Sequence, residues 1–455
     1  MAQRAAIILA AGQGTRMKSA LPKVMHEVAG RPMIDWSVAL AQQVKCERII
    51  VVAHPSQQSL IDHVGETLGS DGIVYQDPPQ GTGHAVRCAE TALDGFSGDV
   101  VVLYGDSPLV PASAIEDLFS VLDRGAAIGV LGFEAALPGN YGRLITTSDG
   151  GLDAIVEAKE ATPEQLAVTL CNSGVMAGER DRMMRLLARV TNDNAKGEYY
   201  LTDLVGLARK EGDACAAVTC DEEDLLGCDS RADLAEAEAI YQKRRRIDVL
   251  NSGVTMIAPD SVYFSHDTVI EPDVLIEPNV VFGPGVHVSS GTRIRAFSHI
   301  EGAHVGPNNE IGPYARLRPG AILERDVKIG NFVEVKKTTL GEGSKANHLA
   351  YLGDGVVGAG VNIGAGTIFC NYDGYLKHQT TIGDGAFIGS NSSLVAPIEI
   401  GQGAIVGSGS VITHNVASDA LAVGRAKQLH REGWAVNFRS KKSAEKAAKN
   451  KKDND

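Results

Sequence analysis

VFGPGVHVSSGTRIRAFSHI, Val281–Ile300, places an apolar residue at every sixth position: Phe282, Val288, Ile294 and Ile300. Neither a helix nor an ordinary strand has that period. A hexapeptide repeat does, because each short strand turns one aliphatic side chain inward, small residues make the corner, and three repeats close a triangular coil. Working outward, Ile270 and Ile276 precede the stretch in phase. Val305, Ile311, Leu317, Leu323, Ile329 and Val335 follow in a second register. Val357, Ile363 and Phe369 resume the period, and Ile382, Ile388, Leu394, Ile400, Val406 and Ile412 complete it. The chain's 51 glycines fit such a coil, since roughly 7% is usual.

Two longer breaks interrupt the register. Val335 and Val357 are twenty-two residues apart where eighteen would keep phase, so four residues are expected to leave the coil as a loop carrying GSKANHLAYLGD, Gly343–Asp354. Interruptions of a solenoid are usually external loops on a binding face. The second break holds Asn371 and Tyr372.

The N-terminal half has a different grammar. Apolar runs at Ile7–Leu9, Ile49–Val52, Val100–Leu103 and Ile128–Leu131 alternate with helix-like segments, which predicts an α/β domain with a largely parallel sheet. Ligands bind such sheets at the carboxyl ends of the strands. Ser230 with Asp233 offers a capping box for a helix to about Leu250. The predicted division is residues 1–229, a linker helix 230–250, a β-helix 251–438 and a basic tail 439–455 that lacks apolar residues other than alanine and reads as disordered.

Charge and cysteine content narrow the function. A net charge of -13 argues against general nucleic-acid binding, which needs a basic surface. Seven cysteines without a Cys-x-x-Cys pair suggest neither a disulfide framework nor a zinc site, but reduced thiols in the cytoplasm. The apolar run Ala5–Ala11 is too short for a membrane span and reads as a buried first strand.

Three motifs suggest chemistry in the first domain. LAAGQGTRMKSALPK, Leu9–Lys23, puts Gly12 and Gly14 where backbone N–H groups can meet a phosphate, with Arg16 and Lys23 as nearby cations. It lacks the third glycine of a dinucleotide fingerprint and the Gly-Lys-Ser/Thr of a P-loop. A tight turn carrying surface charge would read the same way. LYGDSPL, Leu103–Leu109, sets Asp106 at a strand end, a position suited to Mg²⁺ or equally to a turn or helix cap. QGTGHA, Gln80–Ala85, is a further glycine-rich loop.

In this order the three motifs resemble the sugar-1-phosphate nucleotidyltransferase family. The resemblance implies a Rossmann-like, mostly parallel domain in which Leu9, Ala10, Ala11, Gly12, Arg16 and Lys23 serve UTP, and Gln76, Gly81 and Thr82 meet the uracil base. Tyr104, Gly105, Gly142, Glu157 and Asn172 line the sugar pocket, with Asp106 a Mg²⁺ ligand and Asp229 of GCDSR a second, where the family commonly has Asn. Arg16 and Lys23 are the implied catalytic cations. The sugar-1-phosphate oxygen attacks the α-phosphorus in line, so positioning and charge neutralisation carry the reaction.

The C-terminal run ARLRPG, NFVEVKK, GSKANHLAYLGD, NIGAGT and CNYDG, with the motifs above, resembles bifunctional N-acetylglucosamine-1-phosphate uridyltransferase/glucosamine-1-phosphate acetyltransferase over almost the whole chain. That resemblance implies a left-handed parallel β-helix with His348 as general base, a role imidazole suits near neutral pH. It implies that Arg318, Lys336, Tyr351 and Asn362 bind glucosamine-1-phosphate. Ala365, Asn371, Tyr372, Ser390, Ser408 and Arg425 match acetyl-CoA positions. It further implies a homotrimer with acetyl sites shared between neighbouring β-helices, and no nucleic-acid or membrane partner. Two rivals stand: a single nucleotidyltransferase with a structural or regulatory coil, and a non-enzymatic scaffold.

Overall fold

In the computed structural model, which describes residues 3–452, the first half is built on one twisted sheet. Its strands are β1 (Gln3–Leu9), β2 (Arg48–Ala53), β3 (Ile73–Tyr75), β4 (Gly98–Tyr104), β5 (Ile128–Glu134), β6 (Arg143–Thr146), β7 (Leu152–Val156), β8 (Leu170–Glu179) and β9 (Cys215–Thr219). The order is β9-β5-β8-β4-β1-β2-β3, with β6 pairing β8 and β7. All pairs along the main path are parallel except those of β8, which runs against both β4 and β5. The four apolar runs read from sequence are β1, β2, β4 and β5. They are continuous because the sheet is covered on both faces: Ala5, Ile7, Val100 and Val102 face one core and Ala6, Ile8, Val101 and Leu103 the other.

Helices α1 (Met33–Gln43), α2 (Thr82–Cys88) and α3 (Ala112–Asp123) connect these strands. Helix α4 (Arg231–Asn251) begins with the expected capping box, in which the Ser230 side chain accepts from Asp233 N and Asp233 returns the bond to Ser230 N. By contacts, one compact unit runs to residue 269 and includes 281–285; the other comprises 270–280 and 286 onward. Helix α4 therefore lies within the first unit. Gln242 on α4 donates to Phe264 O at 2.7 Å and accepts from Phe264 N at 2.9 Å, which binds the first coil residues to the helix.

The second unit is a left-handed parallel β-helix of two- to seven-residue strands on three faces. Every residue of the six-residue pattern is buried. The expected four-residue loop does not form. Strands β10 (Glu334–Leu340), β11 (Lys345–His348) and β12 (Tyr351–Val357) keep GSKANHLAYLGD in the coil. Val335 pairs with Leu352, Leu340 with Val357, and Ala346 with Ile329 and Ile363. From Val335 the inward positions are Leu340, Ala346, Leu352 and Val357, in steps of five, six, six and five residues. A short step is possible where the corner residue is left-handed, as at Lys337 (φ 43°) and Asp354 (φ 52°). Buried Thr338 fills one such corner, its hydroxyl oxygen accepting from Gly355 N at 3.1 Å. Ala346 breaks a pattern sought in large aliphatics, yet its small side chain is an inward one.

The real excursion is the second break, between Cys370 and Thr380. Asp373 braces it by accepting from Tyr375 N, Leu376 N and His378 Nε2 at 2.7–2.8 Å, which holds its carboxyl at about 2. The tail also differs from expectation. A helix, α5 (Trp434–Lys452), occupies it as far as 452, because Ala, Lys and Glu are strong helix formers and Lys442 pairs with Glu445.

Candidate functional sites

At the carboxyl end of β1 the chain turns through Ala10–Gly14. Buried Gln57 donates through Nε2 to Ala10 O at 3.1 Å and Gly12 O at 3.2 Å, clamping this turn. Gly14 has φ 57°, and a Cβ there would lie 2.6 Å from the Lys23 Cβ, so the glycine lets the Lys23 segment close onto the loop. Gly105 N donates to Leu9 O at 3.0 Å, joining the ends of β1 and β4.

Lys23 Nζ lies between two carboxylates, hydrogen-bonded to Asp106 and 2.9 Å from Asp229 Oδ1. Arg16 reaches the other Asp229 oxygen at 2.8 Å. Burial works against the Lys23 charge, but Asp106 and then Asp229 outweigh it, so the ammonium is held above its ordinary range. Asp229 arrives from a position 123 residues after Asp106 because Cys228 N donates to Asp106 O at 2.9 Å and Asp233 accepts from Asp229 N at 3.0 Å. Two carboxylates that converge on one cation form an oxygen donor set suited to Mg²⁺, with phosphate oxygens to complete it.

The residues expected to line the sugar pocket also meet. Asn172 N donates to Gly142 O at 2.8 Å, and a Cβ on Gly142 would stand 3.7 Å from Glu157 Oε1. A bulge in β8 between Asn172 and Met176 holds Gly174 at φ 90°, where a Cβ would strike the Tyr104 ring at 2.8 Å. Burial, then the charges of Asp106 and Glu157, push the Tyr104 phenol upward, so it remains a donor. Gln76 donates to Gly81 O at 2.9 Å, while Thr82 Oγ1 accepts from Leu201 N at 3.1 Å.

Sequence reading missed Gln57 and a link behind Lys23. Buried His26 meets Arg231 Nη1 through Nδ1 at 3.2 Å, and burial, then Arg231, lowers its affinity for a proton. Arg231 Nε also donates to Met17 O at 3.4 Å, tying the start of α4 to the segment that follows the Ala10–Gly14 turn.

In the β-helix most of the residues expected to form the acetyl-transfer site fall on two edges of one face. His348 ends β11, not a loop. Its Nδ1 lies 2.9 Å from Asn331 Oδ1, one coil earlier. Oδ1 can only accept, so Nδ1 carries the proton and Nε2 is the basic nitrogen. The same corner continues on later coils: Gly366 N donates to His348 O, Asn391 N to Ala365 O and Gly409 N to Ser390 O. Arg425 Nη1 donates to Ser408 O at 2.6 Å. His348, Ala365, Ser390 and Ser408 thus form a column, with Asn362 on the adjoining face beside Lys345 and Phe387.

Arg318 and Lys336 stand on the opposite edge. Arg318 N donates to Val335 O, Lys336 pairs with Gly353, and Arg318 is held by Glu334 at 2.7 Å. Asn371 Nδ2 donates to Asp354 and approaches Tyr351 OH at 3.5 Å. Lys377 of the excursion joins Lys336, whose hydrogen bond and charge depress the Lys377 ammonium. Only the folded excursion marks Lys377. Tyr372 is exposed there, its hydroxyl donating to Gly374 O at 2.6 Å.

Residues 6–252 match the MobA-like NTP transferase domain family, and residues 302–337 and 379–414 match bacterial transferase hexapeptide repeats. A bifunctional GlmU protein of Hyphomonas neptunium is 69% identical over 447 residues, covering 98% of this chain and 97% of its own. The chain belongs to the bifunctional GlmU family. GlmU proteins of Maricaulis maris and a Ruegeria species are 54% and 51% identical, each over 98% of this chain and 98% and 99% of their own. A GlmU-family chain with both domain types is a bifunctional transferase, and neither the purely structural coil nor the non-enzymatic scaffold accounts for it. Among the described residues no helix is long and apolar enough to cross a membrane.

Proposed function

We propose that the chain makes UDP-N-acetylglucosamine in the cytoplasm, acetylating glucosamine-1-phosphate at the β-helix and then coupling the product to UTP at the α/β sheet. The observation that carries this reading is that one chain holds both the Lys23–Asp106–Asp229–Arg16 cluster and a histidine whose Nε2 has no hydrogen-bond partner among the described residues.

In uridyl transfer the Ala10–Gly14 turn, Arg16 and Lys23 bind the triphosphate. Asp106 and Asp229 would hold Mg²⁺, which neutralises charge on the departing pyrophosphate when bound. Tyr104, Gly142, Glu157 and Asn172 orient the N-acetyl sugar, whose phosphate oxygen is already an anion and needs no strong base.

In acetyl transfer His348 Nε2 takes a proton from the sugar ammonium. The amine attacks the thioester carbonyl, a C–N bond replaces the C–S bond, and of the two protons the nitrogen loses, one goes to the CoA thiolate and the other to solvent. The column Ala365–Ser390–Ser408 with Arg425 runs to His348 and suits the acetyl donor, while Arg318, Lys336 and Lys377 suit the sugar phosphate. His348 and the Gly353 position beside Lys336 stand at opposite edges of one face, five residues apart in the chain. That separation supports a homotrimer in which one copy's base faces another's cations. An exposed aromatic ladder supports it too: Phe297, Tyr314 and Phe332 stack at 4.9 and 5.2 Å.

Incubation with glucosamine-1-phosphate, acetyl-CoA, UTP and Mg²⁺, leaving out one at a time, tests the whole reading. Omitting acetyl-CoA should stop all product, and omitting UTP should leave N-acetylglucosamine-1-phosphate. UDP-sugar formation without acetyl-CoA would refute it.

A further inference from the structure

The segment after β3 holds one amide in a single orientation. Gln76 is buried, and its backbone N–H donates to Ala53 O at 2.9 Å. Its side-chain Nε2 donates to Gly81 O at 2.9 Å and lies 3.2 Å from His84 Nδ1 on α2. The Gly81 carbonyl cannot move aside. It also accepts from Ala85 N at 3.1 Å, and Gly81 itself sits at φ 103°, where a Cβ would strike Tyr199 O at 2.7 Å. Tyr199 is in turn tied to the loop through Tyr199 N to Gln80 O and Gly83 N to Tyr199 O, both 2.8 Å.

A carbonyl oxygen only accepts, so the nitrogen end of the Gln76 amide must face Gly81. Burial, then Arg87, lowers the proton affinity of His84 and favours the neutral ring. With Nδ1 accepting the second amide hydrogen, the ring proton sits on Nε2, 3.8 Å from Cys88 Sγ. Both hydrogens of Nε2 are thereby used within the loop. Among the described residues, Gln76 Oε1 has no hydrogen-bond partner.

We propose that His84 is a specificity-determining positioning residue that, with the Gly81 carbonyl, locks the Gln76 amide so that Oε1 selects a base presenting a ring N–H. Uracil presents N3–H and is accepted. Cytosine presents an unprotonated N3, which would face Oε1 lone pair to lone pair and leave both acceptors unpaired, the situation that gives strong discrimination. The inference rests on the proposed meeting of Gln76 with the base.

The test compares kcat/KM for UTP and CTP, at saturating N-acetylglucosamine-1-phosphate, in the wild type, His84→Ala, His84→Asn and Gln76→Ala. Asn can set Oδ1 near the place of Nδ1. His84→Ala should lower the UTP-to-CTP ratio about fivefold, the worth of one hydrogen bond, while His84→Asn stays within about twofold of wild type. An unchanged ratio in His84→Ala, or equal relaxation in the Asn variant, overturns the role of His84. If Gln76→Ala alone loses selectivity, the base contact stands and only the His84 lock fails. If Gln76→Ala also keeps the ratio, the base contact itself is wrong. An unshifted thermal unfolding transition of the first unit in the same preparations reports that each variant is folded.

Discussion

Leu352→Ala tests whether residues 341–356 belong to the coil. Leu352 is fully buried, and its backbone pairs with Val335 on the preceding coil. The substitution removes three buried carbons, about 2.4 kcal/mol at roughly 0.8 kcal/mol each. A residual cavity in a stacked column, which can collapse only slightly, raises the cost to about 3 kcal/mol. The control is Leu376→Ala in the excursion, where the side chain is 65% exposed and truncation should cost no more than about 0.5 kcal/mol. Thermal unfolding of the β-helix, at one protein concentration so that assembly does not bias the comparison, should separate the variants by roughly 5–10 °C for a unit of this size. Near-equal melting would refute the five-residue steps, because a looped-out segment would leave Leu352 as exposed as Leu376.

Four further outcomes follow from the sites. His348→Ala should cut acetyl transfer by about 10²–10⁴-fold while supplied N-acetylglucosamine-1-phosphate is still coupled to UTP; retained acetylation removes His348 as the base. Asn331→Ala, which frees the ring without deleting it, should cost about fivefold in acetylation only, and no change in rate would show that the bond to Nδ1 does not orient the ring. Asp106→Ala, or a chelator added to the wild type, should abolish uridyl transfer and spare acetylation; near-normal uridyl transfer in either case would dismiss the metal role. His26 is held below its ordinary 6.5, so the unfolded chain binds the proton first as pH falls. Stability of the first unit should then decline below 6.5 and be insensitive to this group above it. A decline just as steep in His26→Gln would refute that link.

Local pattern alone determined a good deal. A six-residue period is a property of neighbouring residues, so Val281–Ile300 was enough to declare the coil, and the continuous apolar runs of β1, β2, β4 and β5 were enough to declare a covered parallel sheet. The Leu9–Lys23 motif marked a glycine turn with its cations because both lie within fifteen residues. Tertiary structure decided what depends on register between distant segments. Ala346 is inward only because Ile329 and Ile363 pair on either side of it, and a search for large aliphatics passes over it and inserts a loop. Asn331 reaches His348 because a coil here is seventeen residues long, a number set by the single five-residue step from Val335 to Leu340. Asp229 meets Lys23 across 206 residues through the bonds of Cys228 and Asp233. Side chains brought together by closure of the chain leave no period in it, since nothing local constrains either partner until the backbone between them has folded.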